Sequence, residues 1–335
     1  MKHTFHCIDA HTCGNPIRIV TSGYSLPNGL TAQQGSAYMR ENDDWVRTSL
    51  MLEPRGHDMM AGAILLPPTG ADADARVVFM DTSGYLSMCG HGAIGVVTAA
   101  IEHHLVEPAE AGRFRLETPA GIVALDYEYD GVAVSAVTLE VVPSFLYAQD
   151  VQIETPSLGT LSVDVAYGGN FCAIIEPQPN VLPVGELAQP FMLAMSEEIR
   201  QALNAQLQPV HPLDPTIAGI KQIMWTGPAK HPQADYMNAV CYGLRSLDRS
   251  PCGTGSAARM AQLHALGRLP VGAPFVHESI IGSLYHCRIE RITTVGSYEA
   301  VVPLVRGSAH VIAQSQIFVD DSDLFAHGFS VRQAL

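Results

Sequence analysis

The feature that most constrains this chain is a pattern that occurs twice. Gly14-Asn15-Pro-Ile-Arg-Ile-Val reads as a turn entering a strand, and Gly169-Asn170-Phe-Cys-Ala-Ile-Ile reads the same way. Cys89-Gly-His-Gly follows Asn15 by 74 residues, Cys252-Gly-Thr-Gly follows Asn170 by 82, and each opens an Ala-rich apolar segment. Turn, strand and cysteine-headed helix in one order, twice over, point to a duplicated unit. The 335 residues are enough for about two domains, each with its own core. The expected division is a first domain over 1–158 holding Cys89 and a second over 159–315 holding Cys252, with 316–335 packing back on the first.

The segment from Gly90 to Val106 is apolar nearly all round, with Ile94, Val97, Ile101 and Leu105 joined by Val96, Ala99 and Ala100, so a buried central helix is predicted. Ala257, Met260, Ala261 and Leu263 recur at helical spacing after Cys252, and Gly267 and Pro270 supply the stop. Stretches rich in Val, Ile, Tyr and Phe read as strands: 76–80, 121–127, 132–139 and 280–285. Many strands and few helices give an α+β class.

A cysteine at the start of a buried helix has a chemistry that an ordinary cysteine lacks. Unpaired backbone N–H groups and the positive helix end favour the thiolate, which predicts a lowered thiol pKa. Gly90, Gly92, Gly253 and Gly255 let a ligand approach the main chain, whose N–H groups can bind a carboxylate. Two such sites allow one thiolate to take a proton from one face of a carbon while the other thiol protonates the opposite face. That inverts the centre and needs no cofactor.

Other readings fit less of the sequence. Gly90-His-Gly92-Ala-Ile-Gly95 meets a dinucleotide-binding fingerprint, but Gly253-Thr-Gly255-Ser-Ala-Ala lacks the third glycine, which weakens an NAD-dependent dehydrogenase. A thiol hydrolase using Cys89 and His91 leaves Cys252 unexplained, and a binding protein without turnover leaves both thiols idle. Pyridoxal chemistry has little to work with, the only lysines being Lys2, Lys221 and Lys230. His3, His6, Cys7, His11 and Cys13 match no zinc spacing, so no metal is expected. Nineteen Lys and Arg against 33 Asp and Glu give a net charge of −14, the wrong sign for nucleic acid or an anionic membrane. Seven cysteines without framework spacing or an export signal indicate reduced thiols and a cytoplasmic protein, with Cys172, Cys241 and Cys287 in the core.

Met88-Cys-Gly-His-Gly92 and Asp248-Arg-Ser-Pro-Cys-Gly-Thr-Gly255 resemble the two catalytic signatures of the proline racemase family. Along nearly the whole chain, Cys7-Ile-Asp-Ala-His-Thr-Cys-Gly-Asn-Pro, Glu53-Pro-Arg-Gly-His-Asp-Met-Met, Ala166-Tyr-Gly-Gly-Asn-Phe, His231-Pro-Gln and His277-Glu-Ser-Ile-Ile-Gly-Ser resemble its 4-hydroxyproline 2-epimerase branch. The resemblance implies two pseudo-symmetric domains of the diaminopimelate-epimerase type, each a curled, mainly antiparallel sheet around a central helix, with the substrate in the crevice between. It implies that Cys89 and Cys252 are the acid and base, with Gly90, His91, Gly253 and Thr254 around the carboxylate or the thiols and Asp248 meeting the ring ammonium. Gln222 stands where a histidine is common in that branch, and Gln222 and Tyr242 are the candidates for the substrate hydroxyl. Members with threonine in place of the second cysteine are trans-3-hydroxyproline dehydratases, and Cys252 argues against that branch. The expected reaction converts trans-4-hydroxy-L-proline to cis-4-hydroxy-D-proline, with proline racemisation as the nearest alternative. Oligomeric state is left open, a homodimer included.

Overall fold

The computed structural model describes residues 2–243 and 246–331, so the last four residues of the expected C-terminal return lie outside it. By internal contacts the chain divides into Met1–Leu139 with Ser308–Leu335, and Glu140–Gly307.

The first unit runs β1 (Lys2–Thr12), β2 (Asn15–Ser22), α1 (Ala32–Asn42), α2 (Asp44–Met51), β3 (Ala61–Leu66), β4 (Ala75–Asp81), β5 (Tyr85–Leu86), α3 (Gly90–Glu102), β6 (Arg113–Thr118), β7 (Gly121–Tyr129) and β8 (Val134–Glu140). The second runs β9 (Phe145–Thr155), β10 (Gly159–Tyr167), β11 (Phe171–Ile175), α4 (Gln189–Gln206), β12 (Val210–His211), β13 (Asp214–Ala218), β14 (Ile220–Pro228), β15 (Tyr236–Tyr242), β16 (Ser246–Leu247), α5 (Gly253–Ala265), β17 (Pro274–Ser279), β18 (Leu284–Val295) and β19 (Tyr298–Gly307). A last strand, β20 (Ala309–Asp320), belongs to the first unit.

Strand pairing repeats between the units. In the first, β1 and β2 form a hairpin, β2 runs parallel to β3, β3 pairs antiparallel with β4, β4 with the short β5 and, in parallel, with β6, after which β6, β7 and β8 form a meander. In the second the same sequence of pairings links β10, β11, β14, β15, β16, β17, β18 and β19. Each set gains one antiparallel strand: β20 on β1, and β9 on β10. The expected junction at 158/159 is the turn of the β9–β10 hairpin, whereas the contact division falls at 139/140. Helices α1 and α2 are insertions between β2 and β3, and α4 is an insertion between β11 and β14.

Within each unit the strands are mainly antiparallel and pack around one helix. Helix α3 touches β1, β2, β3, β7 and β20, and α5 touches β9, β10, β11, β18 and β19. Every residue of α3 from Gly92 to Ile101 is buried, as its all-round apolar pattern requires. The helix stops at Glu102, short of the Val106 expected from sequence. His104 takes φ +52, Leu105 donates its N–H back to Ala100 O at 2.9 Å, and the Leu105 side chain is 41% exposed. The strand expected over 280–285 is instead mostly the tight turn joining β17 and β18, because Gly282 at φ +85 lets Ser279 donate its N–H to Ser283 O. The β10–β11 turn is pressed against the start of α5: a Cβ on Gly168 would lie 2.3 Å from Thr254 O and 2.5 Å from Ala258 N. No helix among the described residues is long and apolar enough to cross a membrane.

Candidate active site

Each unit presents one cysteine as the N-cap of its central helix. In the first unit Cys89 is 7% exposed and its carbonyl accepts the first helical hydrogen bond, from Ala93 N–H at 2.8 Å. Its backbone is ordinary, at φ −140 and ψ 105. The His91 imidazole lies beside the thiol, Nδ1 being 3.5 Å from Sγ. Two residues hold His91: Thr12 donates to its carbonyl oxygen at 2.7 Å, and the fully buried Asn15 amide lies 3.2 and 3.3 Å from its two ring nitrogens. Gly90 is the first helical residue, and Gly92 is closely packed: a Cβ there would meet Cys89 Sγ at 3.0 Å, Phe79 at 3.1 Å and Ile17 at 3.2 Å, so these side chains would have to give way.

In the second unit Cys252 is 4% exposed and its side chain caps α5 directly, Sγ accepting the Gly255 N–H at 3.4 Å. Thr254 Oγ1 lies 3.4 Å from Sγ, and Gln222 Nε2 donates to that hydroxyl at 2.8 Å and lies 3.9 Å from the sulfur. Gly253 opens the helix. Asp248 is 4% exposed, and one carboxylate oxygen accepts the Ser250 N–H at 2.9 Å and its hydroxyl at 2.8 Å. Tyr242, half-buried, stands directly opposite Gln222 in the β14–β15 register, so the two side chains share a face. Gln222, Asp248, Gly253 and Thr254 therefore gather with Cys252, and Gly90 and His91 with Cys89.

The two thiols are built differently. Cys252 has φ +64, in the left-handed region that disfavours a side chain. Its pKa is raised well above the ordinary value, first by burial and then by the Asp248 carboxylate, against the smaller help of Thr254 and the Gly255 N–H. This corrects the expectation that the helix start lowers it: desolvation by burial outweighs the two donors. As an isolated group Cys252 is a neutral thiol at pH 7, equipped to give a proton. Sequence reasoning missed Thr12, Asn15, Ser250, Asn238, Ser256 and His277, buried polar residues around the thiols. Five of them stood within motifs already noted without being given a role; Asn238 alone stood in none.

A family described as proline racemase matches residues 7–330. A Brucella ovis protein named 4-hydroxyproline epimerase is 52% identical over 330 residues, covering 98% of this chain and 99% of that one, and a Brucella suis protein named 4-hydroxyproline 2-epimerase matches to the same extent. Among solved structures, a hydroxyproline epimerase from Agrobacterium vitis, with trans-4-hydroxy-L-proline bound, superposes with a TM-score of 0.86 at 30% identity over 98% of this chain and 95% of that one. A Bacillus anthracis phenazine biosynthesis protein of the PhzF family shares the fold, with a TM-score of 0.64 at 14% identity.

Proposed function

This chain belongs to the proline racemase family, and from that premise we propose that it epimerises C2 of trans-4-hydroxy-L-proline to cis-4-hydroxy-D-proline, with Cys89 and Cys252 as the two proton-transfer groups. The observation that carries the reading is the pair of cysteines, each the N-cap of its unit's buried central helix, in a chain half-identical to 4-hydroxyproline epimerases. The protein is an isomerase acting on a small amino acid.

In one direction the Cys89 thiolate removes the C2 proton and the neutral Cys252 thiol delivers its own proton to the opposite face. The C–H bond that breaks and the one that forms lie on opposite sides, so the centre inverts, and the thiols end with their protonation states exchanged. The reverse reaction uses them in the opposite roles. A C2 proton becomes acidic enough only if the carboxylate charge is stabilised, a task assigned to the N–H groups of Gly90, His91, Gly253 and Thr254 at the helix starts. Asp248 is assigned to the ring ammonium. When that cation is bound it offsets the carboxylate's effect on Cys252 and eases the thiol toward ionisation for the return reaction. Gln222 and Tyr242 are the proposed contacts for the 4-hydroxyl.

Catalysis in deuterated water tests the reading. trans-4-Hydroxy-L-proline with enzyme and no added cofactor should yield the cis-D product carrying deuterium at C2. A nicotinamide requirement, or absence of label, would sink it. Proline turned over as well as 4-hydroxyproline would move the protein to racemase activity. The reading includes a cytoplasmic location, consistent with seven buried cysteines that form no disulfide. It leaves the oligomeric state open, a homodimer included, to be read by light scattering against the 36.0 kDa chain.

A further inference from the structure

The strained main chain at Cys252 has a visible cause. The peptide joining Pro251 to Cys252 is gripped at both ends. Its carbonyl oxygen accepts the Asn238 Nδ2 N–H at 2.8 Å and lies 3.1 Å from the Ser256 hydroxyl, while its N–H, on Cys252, donates to Ser250 Oγ at 3.2 Å. Ser250 is in turn held by Asp248. On the other side of Cys252 the helix begins, with Ser256 N–H donating to Cys252 O at 2.8 Å. The φ angle of Cys252 is the torsion between that fixed peptide plane and the helix, so it cannot relax from +64 without breaking one set of bonds or the other.

Behind the grip lies His277. Asn238, Ser256 and His277 are all fully buried, and His277 Nδ1 is 3.1 Å from Asn238 Nδ2 and 2.9 Å from Ser256 Oγ. The Pro251 carbonyl can only accept, so the Asn238 amide must turn its NH2 toward it. One N–H then serves Pro251, and the other is left for His277 Nδ1, which accepts and therefore bears no proton, so the Ser256 hydroxyl turns its single proton to that nitrogen as well. The imidazole is neutral with its proton on Nε2. An Asn238 flip would set Oδ1 against both the Pro251 carbonyl and the Nδ1 lone pair, and the imidazole thereby locks the amide.

We infer that His277 is a positioning residue for Cys252, acting through Asn238 on the Pro251–Cys252 peptide and through Ser256 on the first turn of α5. The inference rests on the two-thiol reading for its consequence in turnover, but not for its effect on the thiol itself. It is one-sided, because Cys89 has φ −140 and a relaxed backbone.

The test compares His277→Leu, which removes the acceptor, with His277→Asn, whose Oδ1 can stand where Nδ1 stood. Alkylation of the ligand-free enzyme by iodoacetamide, quantified peptide by peptide, gives the reactivity of Cys252 relative to Cys89. His277→Leu should shift that ratio by about tenfold and lower kcat by at least as much, with KM changed far less, because a thiol displaced by less than an ångström loses proton transfer before it loses binding. His277→Asn should recover most of both. Should His277→Leu fail to fold, Ser256→Ala and Asn238→Asp, which weaken and invert the grip respectively, should move the same ratio. An unchanged ratio in folded variants, or equal changes at both cysteines, overturns the inference. The ratio is read without substrate, so failure of the epimerase reading would leave wild-type enzyme unable to label C2 and would not touch this result.

Discussion

At the scale of single residues, the two cysteines differ more than their shared motif suggests. Cys89 keeps an imidazole at 3.5 Å and a relaxed backbone, whereas Cys252 is strained, capped by an amide and kept neutral by burial. Both are nevertheless needed if each serves one face of the substrate. Replacing either sulfur by a hydroxyl should lower net epimerisation by roughly 10³-fold or more, since general acid–base groups contribute about 10²–10⁴-fold and a serine is far too weak an acid. Cys89→Ser and Cys252→Ser should keep native circular dichroism while product formation, followed by chiral chromatography, falls away. Near wild-type turnover in either would remove that thiol from the mechanism. Gln222 offers a second measurement. Gln222→Leu deletes the donor to Thr254, so that hydroxyl loses a partner in a buried site. The preference for 4-hydroxyproline over proline in kcat/KM should shrink if Gln222 also meets the substrate hydroxyl, because an unpaired buried polar group costs about 1–3 kcal/mol. An unchanged preference would assign the hydroxyl elsewhere, Tyr242 being next.

Among secondary-structure elements, the decisive contact is a turn against a helix. The glycine turn between β10 and β11 lies on the first turns of α5, and the atoms a Gly168 Cβ would strike are main-chain atoms that cannot swing aside. Gly168→Ala should therefore destabilise the protein by about 3 kcal/mol, the upper end for overpacking, and move Cys252 with the helix. Gly159 is the control: it has φ +69 but open space around it, so Gly159→Ala should cost only about 1 kcal/mol of backbone strain. Urea midpoints of the two variants decide the point, and equal losses would mean that the packing argument is wrong. This turn also marks what the sequence could reveal. Gly-Asn entering a strand and Cys-Gly-x-Gly opening an apolar helix are local chemical signals, and they place the β1–β2 and β10–β11 hairpins and both central helices in their repeated order. Helix α4 was not legible, because its buried stripe of Met192, Ser196, Ile199 and Leu203 includes a serine that is there for Trp225, whose Nε1 donates to it at 2.9 Å. The clamp on Pro251 was hidden for a different reason. Asn238, Ser256 and His277 come from β15, α5 and β17, and only the parallel pairing of β15 with β17 brings them together.

For the whole molecule, the buried titratable groups set a window of stability. Burial raises the thiol of Cys7 to about 12 and that of Cys241 to about 11, and pushes Cys172 and Cys252 upward as well. A thiol whose folded pKa exceeds its unfolded value is equally protonated in both states below the unfolded pKa. Above it the unfolded chain ionises first, so stability falls as pH rises from roughly 8.5 toward the folded value, by up to about 1.4 kcal/mol per pH unit for each group. His277 acts in the opposite sense. Burial, and then the nearby Arg259 guanidinium, hold its pKa well below 6.5, so below that pH the unfolded chain takes up a proton that the folded chain refuses, and stability falls as pH drops. His11 and His211, lowered chiefly by burial, add to this limb. Carboxylates held below their usual range, such as Glu117 and Glu176, act only at lower pH still. The stability maximum should therefore lie between about pH 6.5 and 8.5. Urea unfolding at pH 5.5, 7.5 and 10 (values chosen to fall roughly within and on either side of this window) measures it directly. Two substitutions assign the limbs: Cys241→Ala should flatten the alkaline fall, and His277→Asn the acid one, each leaving the other limb as it was. A midpoint that stays constant from pH 7.5 to 10 would show that the buried thiols ionise without unfolding anything, and the desolvation argued for Cys252 would have to be given up with it.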